Sequence, residues 1–269
     1  MALEFPHGPR MTLGLSLRSE AIRLSRSPIA AAHLACGLAG GLACGAYFAA
    51  SRWDPSMGTD AFAQFLGALM PLMSGVVCGL ATDEERAAGD LFNLTGAPSR
   101  GRAVAAKWLA LCLMGVVALA LAFGLFAAAM AAAGRLPLGI APLAVATALT
   151  LLGSLPLYAL GLAVALRAGR NAAIALGAAG TLVAFFSVGG LAHGLMTGEL
   201  TGALPGPLSL LPPAWPARLG SLGIEAFMDP GVALPPLAWT ALAAAALAAA
   251  STAALVAWFG RFEGGRSDA

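Results

Sequence analysis

The stretch AVAAKWLALCLMGVVALALAFGLFAAAMAAA, residues 103–133, decides the fold class because it is long and almost uncharged. Its single charged residue is Lys107. A membrane-spanning helix needs about 20 apolar residues, since an α-helix rises ~1.5 Å per residue and the hydrocarbon core is about 30 Å thick. The stretch therefore predicts one span of a membrane protein. Lys107 is near its start, where a lysine can extend to the lipid headgroups.

The composition of the whole chain agrees with this interpretation. Hydrophobic residues make up 59% of the chain and charged residues 10%, with a mean hydropathy of +0.83. A soluble domain carries roughly 25% charged residues, so this chain has too little polar surface to cover a soluble globule. We expect an all-α, polytopic membrane protein forming one transmembrane domain. Five further segments have spanning length, namely residues 28–50, 62–82, 140–166, 172–197 and 234–259.

The basic residues predict the orientation of these six spans. With the N-terminus in the cytoplasm, twelve of the 15 Lys and Arg fall on the cytoplasmic side, and only Arg52, Arg135 and Arg218 on the outer side. An excess of basic residues marks cytoplasmic loops. An even number of spans also returns the C-terminus to the cytoplasm, so the two arguments agree.

Residues 10–27, before the first span, have the pattern of a helix lying on the membrane surface. An apolar stripe faces an arc of polar and basic residues, and the arginines would lie near anionic headgroups. A solvated basic tail is the alternative, and both Met1 and Met11 are compatible starts of the chain. The stripe consists of Leu13, Leu17, Ala21 and Leu24, the polar arc of Ser16, Ser19, Glu20, Arg23 and Arg26, and the membrane-interface set of Arg18, Arg23, Arg26 and Lys107.

The loop DEERAAGDLFNLTGAPSRGR, residues 83–102, concentrates seven charged residues between spans two and three. Drawn as a helix it is amphipathic over about three turns. It ends before Pro98, and Ser99 is positioned to cap the next helix. Two interpretations are open: a solvated loop resting on the membrane, or a docking helix held by a soluble partner. The apolar side holds Ala87, Ala88, Leu91, Phe92 and Leu94, and the polar side Glu85, Arg86, Gly89, Asp90 and Asn93.

In this order, the features resemble a type-2 ABC transporter permease. The family's loop has an acidic pair and a basic residue, a glycine, an apolar stretch, a Pro-Ser-Arg-like turn and a lysine; its common threonine after the glycine is Asp90 here. The segments LRSEAIRLSRSP and AGDLFNLTGAPSR are similar to the lantibiotic-protection subset. The likeness covers most of the chain in layout but is specific over about 40 residues. The matching positions are Glu84-Glu85-Arg86, Gly89, Leu91-Phe92-Asn93-Leu94, Pro98-Ser99-Arg100 and Lys107.

The resemblance implies a permease subunit of an exporter in the bacterial cytoplasmic membrane, expelling a lantibiotic or another amphipathic cargo such as a drug or lipid. The loop would be a coupling helix seated in a cytoplasmic ATPase. Two ATPase copies would bind ATP and Mg²⁺, and a second permease chain, identical or related, would complete the assembly. The implied coupling residues are Glu84, Glu85 and Arg86 for charge contacts, Leu91, Phe92 and Leu94 for the cleft, and Gly89, Pro98 and Arg100.

The chain itself offers no nucleotide chemistry, because no G-x-x-x-x-G-K-[ST] phosphate loop occurs. We therefore expect no cofactor, metal or nucleic acid on this chain and no enzyme activity in it. Ser74 and His193 could form the pair of an intramembrane hydrolase, but PLMSGVV lacks the first glycine of G-x-S-G. A sensor or scaffold that only tethers the ATPase is a further alternative.

Three other features carry expectations. Gly37, Gly41 and Gly45 form a small-residue stripe, which is a dimer seam or an intramolecular packing face. The proline-rich residues 198–234 predict a re-entrant-like outer segment, with Glu199, Glu225 and Asp229 facing the outside. The spans lack charged residues at their centres, which argues against an ion-coupling site. The cysteines are expected to be buried thiols; they are Cys36, Cys44, Cys78 and Cys112.

Overall fold

The computed structural model describes residues 12–187, 191–203 and 206–262, without the side chains of residues 191–193. The described chain is helical and contains no strand. Six helices are long and apolar enough to cross a membrane, as the sequence predicts. The α-helices are α1 Leu13–Leu24, α2 Pro28–Ala50, α3 Pro55–Ala87, α4 Phe92–Thr95, α5 Arg100–Ala132, α6 Ala141–Ala168, α7 Arg170–Ser187, α8 Leu191–Thr197, α9 Trp215–Glu225 and α10 Pro230–Gly260.

Local sequence explains where the first two spanning helices begin. The Ser27 side chain accepts from the Ile29 N–H, and Pro28 occupies the first helical position of α2. The Asp54 carboxylate caps α3 in the same way, so α3 begins at Pro55, seven residues before the predicted start at 62. This longer helix includes Asp60, which lies outside the predicted span.

The predicted fifth span, residues 172–197, corresponds to two helices. The helix α7 ends at Ser187 and α8 begins at Leu191, and residues 188–190 lie outside the described part of the chain. At eighteen residues, α7 alone has roughly the length needed to span the hydrocarbon core.

The glycine stripe of α2 packs within the chain, against α5. A Cβ atom on Gly37 would lie 2.6 Å from the carbonyl oxygen of Ala118, and one on Gly41 would lie 2.5 Å from that of Ala122. Only glycine permits backbones to approach this closely. Further along α5, Phe126 stacks on Phe62 of α3 with a centroid distance of 4.1 Å.

Short helical pieces replace a straight helix after α8, as the prolines predict. Two 3₁₀ turns, Pro207–Leu210 and Pro212–Ala214, lead into α9. The helix α9 is buried between α3 and α6, because a Cβ on Gly67 would lie 2.4 Å from the Ala217 Cα atom, and one on Gly153 would lie 2.7 Å from the Pro216 nitrogen.

The bundle has two chemically different ends. One end, here called the basic end, holds α1, α4, the turn at Gly169 and the last turn of α10. Arginines join these pieces: Arg86 donates to the Leu166 carbonyl at 3.0 Å, and Arg170 pairs with Asp83 at 3.0 Å. The other end, here called the opposite end, holds α9 and the segments around it.

Candidate functional site

The loop between α3 and α5 is not the continuous three-turn helix that its periodicity predicts. The helix α3 continues to Ala87, the chain then turns, and α4 begins at Phe92. The turn has positive φ angles at Gly89 (138°), Asp90 (48°) and Leu91 (68°). A right-handed helix cannot continue through such residues. The expectation of one helix over residues 85–94 is therefore wrong, and Gly89 is the signal that marks the break.

Because of this turn, the apolar side chains of the loop point in two directions. Leu91 and Leu94 are buried against the bundle, whereas Phe92 is 71% exposed. The Phe92 ring lies over Gly96, where an added Cβ atom would be 3.1 Å from the ring. The loop therefore presents one large aromatic side chain outward on a base packed by two leucines.

Next to this loop lies a group of four charged side chains, here called the ionic cluster. Three are buried, namely Glu20 of α1, Glu85 of α3 and Lys107 of α5, and the fourth, Arg23 of α1, is half-buried. The Lys107 ammonium lies 3.0 Å from the Glu20 carboxylate and 2.7 Å from that of Glu85. Arg23 pairs with both acids, at 2.6 Å for Glu20. Two acids and two bases give the cluster no net formal charge, so each buried charge has an opposite partner.

The ionic cluster corrects three sequence-based expectations. Lys107 does not extend to the headgroups, because its side chain is 7% exposed and paired. Glu85 is not on the surface, because it is 4% exposed and accepts from the Asn93 amide. Glu20 does not belong to an exposed polar arc, because it is buried against α5.

The helix α1 is consequently oriented differently from the predicted stripe. Its buried positions are Ser16, Glu20 and Leu24, and of the predicted apolar stripe only Leu24 is among them. Burying a carboxylate without an opposite charge costs more free energy than exposing an alanine. The helix is therefore rotated so that Glu20 faces its ionic partners and Ala21 is exposed. Arg18 and Arg26 are exposed, and Arg23 is half-buried in the cluster.

Two of the remaining predicted coupling residues, Glu84 and Arg100, also have partners within the chain. Glu84 accepts from the Ser27 hydroxyl at 2.5 Å. Arg100 donates to the carbonyl oxygens of Thr95 at 2.8 Å and Phe262 at 2.5 Å. Pro98 is exposed. Ser99 occupies the N-cap of α5, but its side chain makes no capping bond.

A second buried polar group, which hydropathy and charge patterns do not predict, lies at the opposite end. This group, here called the polar cluster, consists of Asp60, Gln64, Ser221 and Glu225. The Ser221 hydroxyl lies 2.5 Å from the Asp60 carboxyl and 3.3 Å from that of Glu225. The Gln64 amide donates to Asp60 at 2.8 Å. Glu225 is fully buried, so the expectation that it faces the outside is wrong.

Glu225 holds the segment before the 3₁₀ turns in place. Its carboxylate accepts from the backbone N–H groups of Thr201 (2.8 Å), Gly202 (2.7 Å) and Ala203 (3.1 Å). The polar cluster thus connects α3, α9 and this segment. The sequence signals were the four-residue spacings Asp60–Gln64 and Ser221–Glu225, which place each pair on one face of a helix.

Of the predicted Ser–His pair, only Ser74 has a described side chain. The Ser74 hydroxyl donates to the Pro71 carbonyl of its own helix at 2.8 Å, and the side chain of His193 lies outside the described residues. No group of three potential metal ligands occurs in the described part. Two cysteines, Cys78 and Cys112, are buried as expected. Cys36 is exposed and Cys44 half-buried, because α2 lies at the side of the bundle.

No family model and no curated protein matches this chain.

Proposed function

We propose that this chain is the membrane-spanning permease subunit of an ATP-driven exporter. The observation that carries the proposal is Phe92, a large aromatic side chain that is 71% exposed at the basic end. Exposed aromatic side chains of this kind are typical anchors of protein–protein interfaces. The family likeness of residues 83–102 supports an ATPase as the occupant, in whose cleft Phe92 and α4 would sit.

The contacts around Phe92 would allow α4 to transmit a movement to the rest of the bundle. The turn at residues 89–91 fixes the direction of α4, and Leu91 and Leu94 anchor it to the bundle. Glu85, one turn before the break, joins α3 to α1 and α5 through the ionic cluster. Movement of α4 by an ATPase would therefore act on three helices together.

The proposal includes the orientation and the partners. The basic end faces the cytoplasm of a bacterial cell, consistent with the excess of Lys and Arg there, so both termini are cytoplasmic. Two ATPase copies bind ATP and Mg²⁺, and a second permease chain, identical or related, completes the transporter. The cargo is a lantibiotic or a similar amphipathic peptide, with a drug or lipid as the alternative cargo.

Co-purification tests this proposal directly. The tagged chain is expressed with its native gene neighbours and purified in a mild detergent, and bound proteins are identified by mass spectrometry and assayed for ATP hydrolysis. We expect a stoichiometric ATPase that is lost at least tenfold from Phe92→Asp. The matched control is Phe227→Asp, since Phe227 is also exposed (47%) but lies at the opposite end.

Two results would contradict the proposal. One is a chain that purifies without any ATPase in several detergents. The other is an ATPase that stays bound to Phe92→Asp as well as to Phe227→Asp, which would remove the role of α4. A second six-span chain in the complex would show a heteromeric permease.

A further inference from the structure

A cavity of about 390 Å³ lies between α2, α3 and α5, with Tyr158 of α6 at its wall. This volume is within the range of small-molecule sites, about 300–1,000 Å³. Its lining is almost entirely apolar and includes Gly40, Met70, Met73 and Leu119. The cavity is separate from the ionic cluster and the polar cluster, and the proposed coupling surface does not use it.

Two residues that line the cavity each have a polar atom without a hydrogen-bond partner among the described residues. His33 and Tyr158 are both fully buried, and among the described residues neither the His33 Nε2 atom nor the Tyr158 hydroxyl has a hydrogen-bond partner. A buried polar atom without a partner carries a substantial free-energy cost. Both residues line this cavity, so a molecule that occupies it is next to the two residues that carry these atoms.

The hydrogen bonding of His33 defines what such a molecule must offer. The Nδ1 atom lies 3.0 Å from the Ile29 carbonyl oxygen. A carbonyl only accepts, so Nδ1 carries the hydrogen, and in the neutral ring Nε2 is then an acceptor. The Tyr158 hydroxyl can donate. One group that donates to His33 and accepts from Tyr158 is a hydroxyl.

The cavity opens at the side of the bundle. Cys36 and Ala39 of α2 line it and are exposed, and α2 itself packs mainly against α5. In a spanning helix such an opening faces lipid, so a ligand would enter from the bilayer.

We propose that this cavity binds an apolar, single-chain molecule from the bilayer through one hydroxyl group, which bridges His33 Nε2 and the Tyr158 hydroxyl. The apolar body of the ligand fills the space between α2, α3 and α5. Binding of this ligand needs no ATPase, so the proposal stands or falls separately from the proposed function.

The test uses the full-length chain in lipid nanodiscs, with 1-dodecanol as the probe and a diazirine-bearing dodecanol as its photoreactive form. After irradiation, cross-linked peptides are identified by mass spectrometry. We expect cross-links on α2, α3 and α5 that excess 1-dodecanol removes. Neither dodecane nor 1-methoxydodecane should compete equally, because the first lacks both polar functions and the second cannot donate to His33.

Two variants make the test specific. Tyr158→Phe keeps the shape of the wall and removes one hydrogen bond, so about fivefold more 1-dodecanol should be needed for competition. Gly40→Leu should abolish cross-linking, because its side chain enters the cavity and a Cβ there meets only the Leu66 Cδ1 atom at 3.7 Å, an ordinary contact.

Equal competition by dodecane, unchanged competition in Tyr158→Phe, or cross-linking that persists in Gly40→Leu would each overturn the proposal.

Discussion

The ammonium group of Lys107 in α5 lies 2.7 Å from the carboxylate of Glu85 in α3, and both side chains are buried. Glu20 of α1 lies 3.0 Å from the same ammonium. One lysine therefore connects the N-terminal helix, the end of α3 and the start of α5. This arrangement makes Lys107 a structural centre of the basic end rather than a residue of the membrane surface.

Lys107→Met should destabilise the protein by roughly 3 kcal/mol, because the two buried carboxylates, Glu20 and Glu85, would then share Arg23 as the one remaining base of the ionic cluster. Unfolding of the purified chain in mixed detergent micelles, followed by circular dichroism, measures this. Arg18→Met is the matched control, since Arg18 is an exposed residue of the same end, and its effect should stay within about 0.5 kcal/mol.

A second substitution tests whether charge balance is the cause. Adding Glu85→Gln to Lys107→Met removes an acid as well as a base, so the double variant should lose less stability than the sum of the two single variants. Strict additivity of the two losses would show that the side chains do not interact.

Gly41→Ala should destabilise the protein by about 1–3 kcal/mol, because the added methyl would lie 2.5 Å from the Ala122 oxygen and 2.9 Å from its Cα atom, forcing α2 and α5 apart. Gly124→Ala on α5 is the control, since a Cβ there meets nothing within 4 Å. The same unfolding titration compares the two. A Gly41→Ala protein that keeps its stability but changes its oligomeric state would instead indicate a dimer seam.

Glu225→Ala should release the segment at residues 201–203, because three backbone N–H groups lose their acceptor. Hydrogen exchange measured by mass spectrometry should speed up at least tenfold there, which corresponds to about 1.4 kcal/mol or more. Glu225→Gln keeps one acceptor oxygen, so its exchange should be intermediate. Unchanged exchange in a folded Glu225→Ala protein would contradict this role.

The six spanning helices could be predicted from the sequence because the lipid solvent imposes length and hydropathy on every span. The start of α2 at Pro28 follows from the Ser27 cap and the proline. Hydropathy alone does not locate the start of α3, because the Asp54 cap extends the helix by two turns beyond its most apolar part.

The side-chain groups were harder to predict, because they depend on which helices are neighbours. The glycine stripe of α2 is visible in the sequence, but its partner α5 is not. Lys107 and Glu20 are 87 positions apart, and nothing in their local patterns indicates that they meet. Periodicity also placed Phe92 and Leu94 on one face, whereas the positive φ angles before Phe92 send the two side chains in different directions.

The ionic cluster can be completed only after the start of the third span has been synthesised, because Lys107 lies there. Glu20 and Arg23 leave the ribosome first and can pair locally, three positions apart. Glu85 follows with an unbalanced negative charge, and Lys107, which neutralises it, is synthesised only at the start of the third span. An intermediate that contains only the first two spans therefore has a carboxylate without its full complement of partners. Lys107, at the start of the third span, therefore supplies the positive charge that the first two spans lack.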